Sequence, residues 1–153
     1  MRLAIVISAM LTATPLAAQT VGLIVGNEDY THITDVRRVD RVTDAEAALR
    51  DSGVQMVTRR DSSMDDLRSG LVEFGQMVRQ ADGALVVLSG RLVHSTTETY
   101  FLPVDGQIGP IATISAETLP LSTVFAWLSA HPGKSLLVLA TDDESDAFGT
   151  FLT

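Results

Sequence analysis

Three stretches of the chain are apolar with no polar face: Val21–Gly26, Ala84–Leu88 and Ser135–Ala140. A continuous apolar run of this length, bounded by turn formers, reads as a strand buried on both sides. Val54–Thr58 is a shorter strand of the same kind. Between the strands the period changes to that of a helix. Val36, Val39, Val42, Ala45, Ala48 and Leu49 keep a three-to-four spacing. They predict a helix from Val36 to about Arg50, capped by Thr34 or Asp35 and closed by Gly53 in a left-handed turn. Met64, Leu67, Leu71, Phe74 and Val78 form a second apolar stripe. Ser63 is placed to cap that helix, with Asp66 as its capping-box partner. Leu121–Leu128 predicts a third helix, ended by Pro132-Gly133.

The strand Ala84–Leu88 is followed by a different pattern. Leu92–His94 and Thr99–Leu102 flank Ser95-Thr96-Thr97-Glu98, which reads as a β-hairpin. Pro103 ends it, and Gly109–Pro120 has no clear period. Strands alternating with helices predict an α/β fold: a doubly wound, mainly parallel sheet with helices on both faces and a β-hairpin after the third strand. The Ser135–Ala140 strand is apolar enough to need a neighbour on each side. If it has only one, its free edge is an aggregation risk and a surface through which two chains could pair.

Composition narrows the functional classes. The 153 residues suit one domain, and 46% apolar with 20% charged residues fits a folded chain. The net charge of -8, with no run of basic residues, argues against nucleic acid or an anionic membrane surface as a partner. The absence of cysteine excludes disulfides, thiolate metal sites and a cysteine nucleophile. Arg2, the apolar Leu3–Leu11 and the small residues around Ala18 have the layout of a secretory signal peptide over residues 1–18. The domain then covers residues 19–153 and is exported to the periplasm or the medium, with no membrane association after cleavage.

In a parallel sheet, chemistry gathers beyond the carboxyl ends of the strands. Three loops meet there: Asn27-Glu28-Asp29, Ser89-Gly90-Arg91 and Thr141-Asp142-Asp143. The cleft candidates are Asn27, Ser89, Gly90, Arg91, Thr141 and Asp142. Val21–Asn27 with Tyr30, the strand Asp82–Gly90, Tyr100-Phe101-Leu102-Pro103-Val104-Asp105, and Ser135–Asp143 together resemble the bacterial caspase-like peptidases. The most specific part is Tyr100–Asp105, and the resemblance spans Val21–Asp143. It implies the first four strands of the caspase-haemoglobinase fold, which normally continues with two more.

The resemblance also implies a histidine after the third strand and a cysteine after the fourth, acting as a base and nucleophile pair. Here Arg91 occupies the histidine position and Leu92 follows it. The cysteine position falls on Asp142, or on Thr141 if the register slips by one. An arginine stays protonated and is no base. No part of the dyad is intact, so the expected protein is an inactive pseudo-peptidase, a binding or regulatory module for a protein or peptide partner. A hydrolase with a noncysteine nucleophile, and a fragment of a longer caspase-like protein, are the competing readings.

Other constellations carry less. His94 sits on the hairpin, and His32 and His131 in loops. Ser89 lacks the Gly-x-Ser-x-Gly setting of a hydrolase elbow. Gly22 and Gly26 do not complete a nucleotide fingerprint. Asp142, Asp143, Glu144 and Asp146 lack the spacing of a calcium loop, so neither a metal nor a cofactor is expected. An ion pair between Arg91 and Asp142 across the cleft is the structural expectation for these two positions.

Overall fold

The computed structural model describes residues 19–36, 40–109 and 116–141. Residues 1–18 and 142–153, which include the segment read as a signal peptide and Asp142, lie outside the described residues, as does Val39. The apolar runs form β1 (Thr20–Gly26), β3 (Gly83–Ser89) and β7 (Ser135–Ala140), with β2 at Gln55–Arg60. These four make one wholly parallel sheet in the order β2-β1-β3-β7. The helices are α1 (Asp40–Asp51), α2 (Met64–Val78) and α3 (Leu121–Leu128). Beyond β3 the chain forms a second, small antiparallel sheet of β4 (Leu92–His94), β5 (Thr99–Phe101) and β6 (Leu119–Pro120). The hairpin was legible in the sequence; the pairing of Leu119–Pro120 with it was not.

Strand alternation divides the side chains between two layers. Val21, Leu23, Val25, Val57, Ala84, Val86 and Leu88 face α2 and α3, where Leu67, Phe74, Val124 and Leu128 complete the main core. Ile24, Leu85 and Val87 face the other way and pack with Val42 of α1. The molecule is thus mixed α/β, with a parallel sheet flanked by helices on both faces. Gly26 lets α1 lie close, since a Cβ there would stand 3.3 Å from Val42.

The helix ends follow local chemistry. The Ser63 hydroxyl accepts from the Asp66 N–H at 3.2 Å, as the capping pattern requires. Gly53 adopts φ 80° and closes α1 through its N–H to the Arg50 carbonyl. The start of α1 differs from expectation. Val36 is not helical; its N–H bonds the Glu28 carbonyl, and its side chain packs with Tyr30, Val93 and Leu102. Asp35 accepts from the Tyr30 N–H instead of capping a helix. A three-residue spacing cannot tell which core an apolar residue joins.

Arg59 and Arg60 lie past the expected end of the second strand at Thr58, yet they continue β2. Consecutive strand residues point to opposite faces. Arg59 reaches Glu73 of α2 at 2.8 Å, and Arg60 reaches Glu46 of α1 at 2.8 Å. Each guanidinium therefore ties the edge strand to the helix on its own face.

Strand β7 is a further correction. Instead of a buried strand it is a half-exposed edge, with Leu136, Val138 and Leu139 at 58%, 39% and 41% exposure. Its one neighbour among the described residues is β3.

Glu46 also accepts from Arg50, at 2.6 Å. Burial opposes its ionisation, but the bonds from Arg50 and Arg60 outweigh burial and hold the carboxyl below its ordinary range. A lowered carboxylate adds stability above its unfolded pKa, and this is lost as pH falls through the folded value. Glu46→Gln is expected to cost about 1 kcal/mol at neutral pH. In denaturant unfolding at stepped pH, the gap to the parent should close on acidification through the carboxylate range; a gap independent of pH would contradict this role.

Candidate functional site

The ends of β1, β3 and β7 are joined directly. The Asn27 N–H donates to the Ser89 carbonyl at 2.9 Å, and the Gly90 N–H to the Ala140 carbonyl at 2.9 Å. The structure therefore brings the Asn27, Ser89–Gly90–Arg91 and Thr141 segments together, as the sequence suggests. Thr141 is half-buried at the end of β7, and Asp142 lies outside the described residues.

Asn27, Gly90 and Arg91 are engaged in hydrogen bonds and close contacts of the fold itself. Asn27 is fully buried. Its Nδ2 donates to the Leu102 carbonyl at 3.0 Å, and its Oδ1 accepts from the Ser62 N–H at 2.9 Å. One amide thus fastens the loop after β1 to the loop before α2 and to the end of the hairpin. Gly90 has φ 151°, in the region that favours glycine, and a Cβ there would stand 2.6 Å from the Tyr30 hydroxyl oxygen. The close approach lets that oxygen accept from the Arg91 N–H at 2.8 Å.

Arg91 is 5% exposed. Its carbonyl accepts from the Leu102 N–H, and its Nη2 donates to the Thr34 carbonyl at 3.1 Å. The guanidinium so reaches the loop that follows β1. In this setting the guanidinium joins the loop after β3 to the loop after β1. The expected pair with Asp142 falls on a residue outside those described.

Sequence reasoning missed two carboxylates that order this end of the sheet. Asp61, at φ 43°, accepts from the Glu28 and Asp29 N–H groups at 2.8 and 3.1 Å. Asp105 accepts from the Met64 N–H at 2.9 Å, so the last residue of the Tyr100–Asp105 motif holds the first turn of α2. An Asp beside a turn and an Asp before glycine were the available signals, but neither names its distant partner.

A cleft of about 440 Å³ opens between α1 and the carboxyl ends of β3 and β7. Val42 and Ala45 of α1, Val87 and Val138 form its apolar walls, and Ser89 and Thr141 bring hydroxyls to it. None of the three histidines lines it. His94 lines a separate groove beside Glu98, Ser122 and Phe125. His32 lies 3.4 Å from the Gln107 amide, and His131 lies 3.1 Å from the Val78 carbonyl beyond α2. In the groove, Glu98 is an internal cap rather than an acid. The Ser122 hydroxyl, opposed by partial burial, and the Thr99 and Ser122 N–H groups hold its carboxyl below the ordinary range. It stands in for a side-chain cap at Pro120, which begins α3 without one.

Among the described residues no group of three potential metal-ligating side chains occurs, and no helix is long and apolar enough to cross a membrane. Compared with models of known protein families and with curated proteins, the chain shows no match.

Removing the Asn27 amide takes the acceptor from the buried Ser62 N–H and the nearer donor from the Leu102 carbonyl, which keeps only the longer bond from the Tyr30 hydroxyl. Asn27→Ala is expected to lose about 2–4 kcal/mol. Tyr30→Phe removes the acceptor for the Arg91 N–H and a long donor bond to the Leu102 carbonyl, and should lose about 1–3 kcal/mol. Thermal and denaturant unfolding report both, and a change within error for Asn27→Ala would refute the clamp.

Proposed function

We propose that this chain is a caspase-like, doubly wound α/β domain without peptidase activity, which binds a peptide or protein partner at the carboxyl end of its sheet. The strand order supports the doubly wound reading. The chain steps from β1 out to β2 through α1 on one face, then crosses back past β1 to β3 and β7 through α2 and α3 on the other. The reversal falls between β1 and β3, where such sheets bind ligands.

The observation that carries the inactive reading is the buried Arg91, held through its N–H and its guanidinium at the end of β3. At that position a caspase-like peptidase needs a group that can take a proton. With no cysteine anywhere in the sequence, there is no thiol for a base to activate. What remains is an apolar cleft with two hydroxyls at its mouth, which suits an apolar side chain of an extended segment. In this reading residues 1–18 export the domain.

Two measurements test the proposal. Offered a panel of fluorogenic peptides, the purified chain is expected to release no fluorophore above buffer. Turnover that disappears on Thr141→Val or Asp142→Asn would overturn the inactive reading. On an array of short peptides differing in one apolar residue, the parent should retain a subset that Ala45→Trp, which fills the cleft, no longer binds. Equal retention by both proteins would remove the cleft from the function.

A further inference from the structure

The two edges of the main sheet are finished differently. Edge strand β2 carries Arg59 and Arg60, and charged side chains discourage a further strand. Edge strand β7 is Ser-Leu-Leu-Val-Leu-Ala, with no charge, proline or glycine. Its carbonyls at Lys134 and Ala140 accept from Ala84 and Gly90 of the β3 chain segment. By alternation the backbone groups of Ser135, Leu137 and Leu139 point outward from the sheet. The exposed side chains lie on both faces of this edge: Leu136 and Val138 on the α1 side, and Leu139 on the other. A matching strand must therefore be apolar on both faces, and β7 is itself such a strand.

We propose that β7 pairs antiparallel with β7 of a second copy of this chain, joining two four-stranded sheets into one across a two-fold axis at Val138. This rests on β7 and its flanks, not on the reading of the cleft. A two-fold axis normal to the sheet requires a residue to face its own mate, because opposed pairs alternate between hydrogen-bonded and non-bonded types. Val138 has its backbone turned toward β3, so it makes a non-bonded central pair, the type with the closer side chains. Leu137 then faces the partner's Leu139, and Leu136 the partner's Ala140.

Charge chooses this direction. Lys134, the sole lysine in the chain, is exposed immediately before β7. The sequence after Ala140 is acidic, with Asp142-Asp143-Glu144. Antiparallel pairing turns the Lys134 end of one strand toward the Ala140 end of the partner's, twice by symmetry. Parallel pairing would instead bring lysine to lysine and acid to acid, which is repulsive. No charge lies within the strand itself.

The absence of native cysteine makes the register directly testable on the full chain. In Val138→Cys the two thiols face each other at non-bonded-pair distance, within disulfide reach. In Leu136→Cys the two thiols are separated by four residue steps, roughly 13 Å. Under mild oxidation, Val138→Cys should form a reducible covalent dimer several times faster than Leu136→Cys. Sedimentation of the parent should show a concentration-dependent dimer. Lys134→Asp should weaken it about tenfold, and Val138→Lys should abolish it while leaving the monomer folded by circular dichroism. A single-chain mass at every concentration, or equal crosslinking of the two cysteine variants, overturns the proposal, whether residues 142–153 or a different protein then cover the edge.

Discussion

The fully buried amide of Asn27 is the joint on which the carboxyl end of the sheet depends. A parallel sheet needs long crossovers, so its strand ends emit loops that have no ladder to satisfy their backbone groups. Here one side chain serves two such loops at once, donating to Leu102 and accepting from Ser62. Asn alone among small residues offers a donor and an acceptor in one plane; Asp would lose the donor and Ser the reach. The Tyr30 hydroxyl, Asp61 and Asp105 extend the network, so that the loops after β1, β2 and β3 are each held by a side chain from another loop. Burial makes the network worth having and also makes each member costly to lose.

The two faces of the sheet are covered unequally, and the cleft follows from that. Both α2 and α3 lie on one face, where Phe74 and Trp127 meet edge to face with ring centroids 5.7 Å apart. On the other face α1 alone contributes described side chains to the core, through Val42 and Leu49. It reaches Gly26 of β1 closely, and β3 stays buried while Leu136 and Val138 of β7 are exposed on this face. Among the described residues one helix covers this face of four strands, and the cleft opens beside it over β3 and β7.

What the sequence made legible is what local chemistry decides. The buried strands β1 and β3, the Ser63 cap, the Gly53 turn and the hairpin after β3 all depend on residues close in the chain. What it left hidden depends on partners distant in sequence. Val36 keeps the spacing of α1 but belongs to the cluster around Tyr30. Arg59 and Arg60 look like an exit until Glu73 and Glu46 are placed across from them. The apolar composition of β7 predicts burial, yet composition states only what a strand would prefer to touch, and β7 touches one neighbour among the described residues. The site shows the same division: the three converging loops were readable, and the roles of Asn27 and Arg91 within them were not.

Arg91 shows why placement and chemistry have to be judged separately. The topology puts it where parallel sheets concentrate function, directly after a fully buried strand. A guanidinium there cannot be deprotonated, and desolvating it is expensive unless its donors are met. One of its donors, Nη2, meets the Thr34 carbonyl, and its backbone is fixed between the Tyr30 hydroxyl and the Leu102 N–H. Those bonds hold the residue to its own loops. Under the proposed reading that is why the apolar cleft lined by Ser89 and Thr141, and not the guanidinium, would make contact with a partner.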